Sequence, residues 1–263
     1  MKEVQKPSID DMLRFCCDIG RSLIKNAAEI NRVEETLTLI LRAYGFQNTD
    51  VFAIPAYLTV DIEENGHINS KFVRIKHAIN NMNKLYKLNE LSHRICSDGL
   101  ELSEASRILY DVINEKAYPT AFSYFIYGFI AFFFTAFWKG SLLDCTVAIF
   151  SGLMIKAVYS FLAKHKTNLF FNNVCSGVML CLPPALANAL GLACSMDNVI
   201  IGSIMLLVPG LGITNVMRDV LSEDFVTAVS KLAEVLIVAL GIAIGISLPI
   251  AALNALQGLG GVL

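Results

Sequence analysis

The spacing of apolar residues changes twice along the chain. Residues Ile9 to Ala28, IDDMLRFCCDIGRSLIKNAA, place Met12, Leu13, Cys16, Ile19, Leu23 and Ile24 at three- and four-residue steps. That period predicts an amphipathic helix. A second helix is predicted from about Arg32 to Tyr44, with Val33, Leu37, Ile40 and Leu41 as its buried stripe. Asn31 suits its N-cap, with Glu34 three residues on as in a capping box, and Gly45 suits the position after its end. Arg32, Glu34 and Glu35 read as a solvated first turn. The period then drops toward two. VFAIP, YLTVDIE and HINSKFVRI are strand-like, rich in β-branched and aromatic residues, and Asn65-Gly66 marks a tight hairpin turn between the last two. Helices at about Asn80 to Cys96 and Ser103 to Asn114, the latter with Ser103 as N-cap, complete an α+β domain over residues 1–118.

From Pro119 the polar positions nearly vanish. A helix of about 20 apolar residues crosses the hydrocarbon layer. Five spans are predicted: Thr120–Trp138, Leu142–Leu162, Leu169–Leu190, Val199–Thr214 and Val226–Leu248. The fold class is therefore an α-helical polytopic membrane protein, residues 119–263, with an N-terminal cytosolic α+β domain. Lys164 and Lys166 lie in one connection and Arg218 in another, while the connection from Gly191 to Asn198 has neither Lys nor Arg. The positive-inside rule then puts the N-terminus in the cytoplasm and the C-terminus outside.

Composition sharpens this division. Mean hydropathy is +0.57. Of 44 charged residues, 32 fall in residues 1–118. A net charge of −2 without a basic cluster excludes nucleic acid as a partner. Seven cysteines without a C-x-x-C pair give neither a zinc site nor a redox motif, and fit reduced thiols. The charged start, MKEVQKPSIDDM, carries no signal peptide. The soluble part has no P-loop, no G-x-G-x-x-G after a strand, no H-E-x-x-H and no G-x-S-x-G. His67, His77 and His93 lack metal-ligand spacing. Neither a metal nor a cofactor is expected, and the chain does not read as an enzyme. A membrane-anchored hydrolase or a ligand sensor using residues 1–118 is the competing reading.

Two spans carry helix-hostile residues. The third holds Pro183-Pro184 and the fourth holds Pro209-Gly210, within LVPGLGITNVMRD. Proline removes a backbone donor, and backbone opened at membrane depth is tolerated only where protein or a water-filled cavity covers it. Broken helices near the midplane point to a solute site in transporters; a packing kink is the plainer reading. Candidate solute-binding residues are Pro183, Pro184, Asn188, Pro209, Gly210, Gly212, Asn215, Arg218 and Asp219. Glu234 and Asp219 are candidates for proton coupling. Asp144 lies near a span end, Lys156 lies near enough to one to snorkel, and Gly241-x-x-x-Gly245 signals close helix packing.

LVPGLGITNVMRDVLSEDFVTAVSKLAEVLIVALGIAIG resembles the signature region of the threonine/serine exporter family, with P-G-x-x-x-x-N-x-x-R-D closing a broken span. NRVEETLTLILRAYGF and VFAIPAYLTVDI resemble the family's cytosolic N-terminal domain. The resemblance covers nearly the whole chain, but full-length members carry about ten spans in one chain. This sequence is similar to the larger subunit of the family's split form, which includes a bacterial succinate exporter. The resemblance implies a multi-pass protein of the bacterial inner membrane. It also implies a small membrane protein as the second half of the transporter, and a small carboxylate-bearing solute such as threonine, serine or succinate. Pro209, Gly210, Gly212, Asn215, Arg218 and Asp219 correspond to the family motif. Arg218 reads either as a two-point ligand for the solute carboxylate or as an anchor for the helix end.

Overall fold

A computed structural model describes residues 6–76, 81–116, 118–165 and 167–260, with side chains described as far as residue 255. His77, Asn80 and Lys166, named above, lie outside the described residues. The residues cluster into two compact units. One comprises Met1–Lys116 with Asn215–Lys231, the other Ala117–Thr214 with Leu232–Leu263.

In the first unit the three predicted strands form an antiparallel meander of β1 (Thr49–Ile54), β2 (Tyr57–Glu64) and β3 (His67–Arg74), in that order. Alternation along β2 buries Leu58, Val60 and Ile62 on one face. Helices α1 (Ile9–Lys25) and α2 (Ile30–Ala43) cover that face. A Cβ on Gly20 of α1 would meet Leu58 at 2.5 Å and Leu37 at 2.8 Å, so glycine permits this approach. Asn65 and Gly66 both have positive φ, 53° and 76°, as a two-residue type I′ hairpin turn requires. Helices α3 (Met82–Asp98) and α4 (Leu102–Ile113) close the core with Leu88, Leu91, Ile95, Ala105 and Leu109.

Two expected caps are corrected. Helix α2 starts at Ile30 after Glu29, with no side-chain cap bond, so Asn31 is not its N-cap. Glu34 forms no capping box; its carboxylate instead accepts the Ala53 amide of β1 at 2.7 Å. Burial chiefly holds that carboxyl above its ordinary range. Helix α4 starts at Leu102 after Glu101, so Ser103 lies inside it.

In the second unit, α5 (Thr120–Phe137), α6 (Leu142–Lys164) and α7 (Leu169–Ala189) match three predicted spans within two residues at each end. With α10 (Phe225–Gly260), they are the four helices among the described residues long and apolar enough to cross a membrane. The fourth predicted span, Val199–Thr214, is not a single helix. It comprises α8 (Met196–Ile204), a gap, and the start of α9 (Gly210–Leu221). At 9 and 12 residues each falls short of the hydrocarbon thickness.

The third span is corrected in the other direction: α7 is continuous, with Pro183 and Pro184 inside it. Pro184 has no N–H for the Leu180 carbonyl. The Ser151 hydroxyl of α6 donates to that carbonyl at 2.9 Å, fully buried. Leaving it unpaired in an apolar interior would cost about 1–3 kcal/mol.

The glycine pair of α10 packs against α7. A Cβ on Gly245 would come within 2.4 Å of the Val174 carbonyl oxygen and 3.0 Å of the Gly177 Cα. Two backbones meet there because neither residue has a side chain. Asp144 resolves as a double cap. Its Oδ2 accepts the Ser141 amide at 2.8 Å, closing a capping box on α6. Its Oδ1 accepts the amide of Ser195, the N-cap of α8, at 2.7 Å. A carboxylate near helix N-termini is favourable on electrostatic grounds as well.

Candidate functional site

The interruption between α8 and α9 is built by sequence. After Ile204 the amides of Leu207 and Val208 both turn back to the Ile204 carbonyl, at 2.8 and 3.1 Å. Val208 precedes proline and is biased toward extended backbone, while Pro209 presets the entry of a new helix. The Gly210 amide bonds the Val208 carbonyl at 2.9 Å, and the Ile213 amide bonds the Pro209 carbonyl at 3.0 Å. Among the described residues, the amides of Leu211 and Gly212 have no hydrogen-bond partner. A Cβ on Gly210 would meet nothing within 4 Å, whereas one on Gly212 would meet Val235 at 3.0 Å. The start of α9 therefore presents two donors without a partner among the described residues, at the positive end of a helix dipole.

The rest of the motif lies in the first unit, where the structure gives its charges partners. Arg218 forms an ion pair with Glu29, which also pairs with Arg32 at 3.3 Å. Arg218 remains half exposed. Asp219 is buried and paired with Lys231 at 2.8 Å, with 5% and 14% of the two side chains exposed. Asp224 caps the first turn of α10 through the Thr227 amide at 3.1 Å. Asn215 is half buried and makes no side-chain hydrogen bond among the described residues.

The remaining predicted site residues scatter in role. Pro183 and Pro184 offer no opened backbone. Asn188 accepts the Cys194 amide at 3.2 Å and shapes the connection from α7 to α8. Glu234 is exposed on α10, with no ion pair among the described residues. Sequence reasoning missed Glu29, Lys231 and Ser151. The Glu29–Arg218 pair spans 189 positions, so no local pattern encodes it. Ser151 was detectable in principle, as a hydroxyl in a span beside a span with two prolines.

Among the described residues of 6–116, no catalytic constellation is seen. A cavity of about 550 Å³ opens between α1 and α4, lined by Asp11, Arg14, Asp18, Ser103, Ser106 and Tyr110 among others. Neither histidine nor cysteine lines it. Burial pushes the Cys17 thiol up to about 11 and Cys16 further still, so neither is a thiolate at neutral pH. Among the described residues, no group of His, Cys, Asp and Glu is placed to hold a metal.

Comparison with known proteins agrees with the motif. Residues 14–252 match the threonine/serine exporter family, ThrE. A threonine/serine exporter of Corynebacterium glutamicum is 25% identical over 252 residues, covering 91% of this chain. The chain spans about half, 50%, of that relative's length. No solved structure matches. With a motif-bearing helix break, apolar helices of spanning length and a family match over most of its length, the chain belongs to the threonine/serine exporter family of multi-pass membrane proteins.

Proposed function

We propose that this chain is one subunit of a secondary transporter that exports small carboxylate-bearing metabolites across the bacterial cytoplasmic membrane. Threonine, serine and succinate-like dicarboxylates are the solute classes. A separate small membrane protein supplies the second half. Residues 1–118 form a cytoplasmic domain, residues 119–263 form the transmembrane domain, and the C-terminus lies outside. The observation that carries the reading is the interruption at Leu207–Pro209, which leaves the Leu211 and Gly212 amides without a partner among the described residues. Such an opened helix end favours an anionic group.

Arg218 collects the solute on the cytoplasmic side. Its guanidinium already holds a carboxylate, that of Glu29, so an arriving solute carboxylate exchanges with a like group. Asp219 and Glu234 remain the candidates for carrying the coupling proton.

The test is efflux of labelled threonine, serine and succinate from preloaded vesicles, with this chain alone and with the small membrane protein encoded beside it. Efflux of one solute only when both chains are present is the expected result. If both chains are folded and inserted yet none of the three leaves, the export reading fails for these solutes. Arg218→Lys keeps the charge but loses the planar fork. Export should fall about tenfold for a bidentate ligand and stay near wild type for a simple anchor.

A further inference from the structure

Lys156 is the membrane unit's least explained charge. It lies in α6, eight residues before that helix ends at Lys164, or about 12 Å along the axis. Side chains on a helix lean toward its N-terminus. Lys156 therefore leans away from the nearer end of α6, and snorkelling to that end works against its own geometry. The structure places its ammonium over the ring of Tyr127, 5.2 Å from the centroid. Among the described residues it has no carboxylate partner. A ring contact contributes about 0.5–2 kcal/mol. A lysine near the middle of a span costs about 2.5–3.5 kcal/mol even on the mildest scale. The ring alone leaves the charge undercompensated.

Two bonds from α6 to α7, Ser151 to the Leu180 carbonyl and Tyr159 to Asn173, lie on either side of Lys156 along the helix. One turn further along α6, the Tyr159 hydroxyl donates to Asn173 Oδ1 at 2.7 Å. Asn173 is 1% exposed, and its amide is held by the Leu169 carbonyl at 2.9 Å. Ser176, one turn beyond Asn173, is fully buried, and its hydroxyl has no partner among the described residues. A packing seam accounts for the tyrosine–asparagine bond but not for a cation without a carboxylate partner among the described residues.

We propose that Lys156, held over the Tyr127 ring in the membrane unit, binds the carboxylate of the transported solute within the membrane. The inference rests on the export reading above and adds a charged group of the membrane unit to the recognition of the anion. The lysine supplies the charge that meets the carboxylate.

The experiment uses the complete transporter in vesicles, with whichever of serine, threonine or succinate it exports and with the corresponding amide. Removing a charge-assisted hydrogen bond in K156M should raise KM for the acid at least about tenfold. The preference for acid over amide should disappear. K156R, which keeps the charge, should keep most of that preference. K156Q carries the same readings if K156M does not insert. An unchanged KM and an unchanged acid–amide preference in the variant would overturn the site. So would loss of co-purification with the second chain, because Lys156 would then serve a carboxylate of that chain. Failure of the wild type to export any of the acids would sink the export reading itself, a result separable from the others.

Discussion

Pro183 and Pro184 sit inside α7 without interrupting it, whereas Pro209 stands at the gap between α8 and α9. Both stretches are apolar and belong to one unit. What differs is the fate of the backbone groups near each proline. At Pro184 the freed Leu180 carbonyl receives the Ser151 hydroxyl from a packed neighbour. At Pro209 the next residue is glycine, and the following amides stay free. Proline in a membrane helix does not by itself open the chain. It does so at Pro209, where the adjoining residue also disfavours helix.

The most damaging way to break this contrast is to remove the gap. Relative to alanine, proline disfavours a helix interior by about 3 kcal/mol and glycine by about 1 kcal/mol. Pro209→Ala with Gly210→Ala therefore makes joining α8 to α9 cheaper by about 4 kcal/mol. Export by the complete transporter should fall at least about tenfold, because a closed helix pairs the amides that the solute would use. Pro183→Ala with Pro184→Ala should leave efflux within about threefold of wild type, since α7 is helical already. Equal losses in the two double variants would erase the distinction drawn here.

Much of this architecture was legible in the sequence, for physical reasons that also mark the limit. Alternation in YLTVDIE and the Asn65-Gly66 pair encode β2 and its turn through local sterics and burial. Apolar runs of about 20 residues encode α5, α6 and α7 through bilayer thickness. The break at Pro209 was legible because proline and glycine act together there. The continuity of α7 was not, because what receives the freed Leu180 carbonyl, the Ser151 hydroxyl, comes from another helix. Asn31 looked like a cap, but its helix begins at Ile30, after Glu29. Arg218 was found by motif, yet its partner Glu29 is distant in the chain and visible only in the folded unit.

A subtler intervention tests the compensation directly. Ser151→Ala leaves the Leu180 carbonyl buried and unpaired, and should destabilise the membrane unit by about 1–2 kcal/mol. Pro184→Ala restores an amide to that carbonyl. In the Pro184→Ala background, the same serine substitution should therefore cost less by about 1 kcal/mol. A double-mutant cycle on unfolding in detergent reads this coupling. A coupling near zero would mean that Ser151 does not offset the proline, and that packing alone keeps α7 whole.

The smallest expected effect concerns Asn188, the polar candidate near the α7 prolines. Its Oδ1 accepts the Cys194 amide at 3.2 Å, in a connection where Gly191 takes a φ of 77°. Asn188 is exposed, so a water or lipid headgroup can replace the lost acceptor in Asn188→Ala. The cost should stay below about 1 kcal/mol, near the low end for a single neutral hydrogen bond. Efflux and KM should then remain within about twofold of wild type. If KM instead rises as far as in the Lys156 variants, Asn188 touches the solute. The end of α7 would then share the site with the opened backbone at Pro209, and its continuous helix would no longer mark it as scaffold.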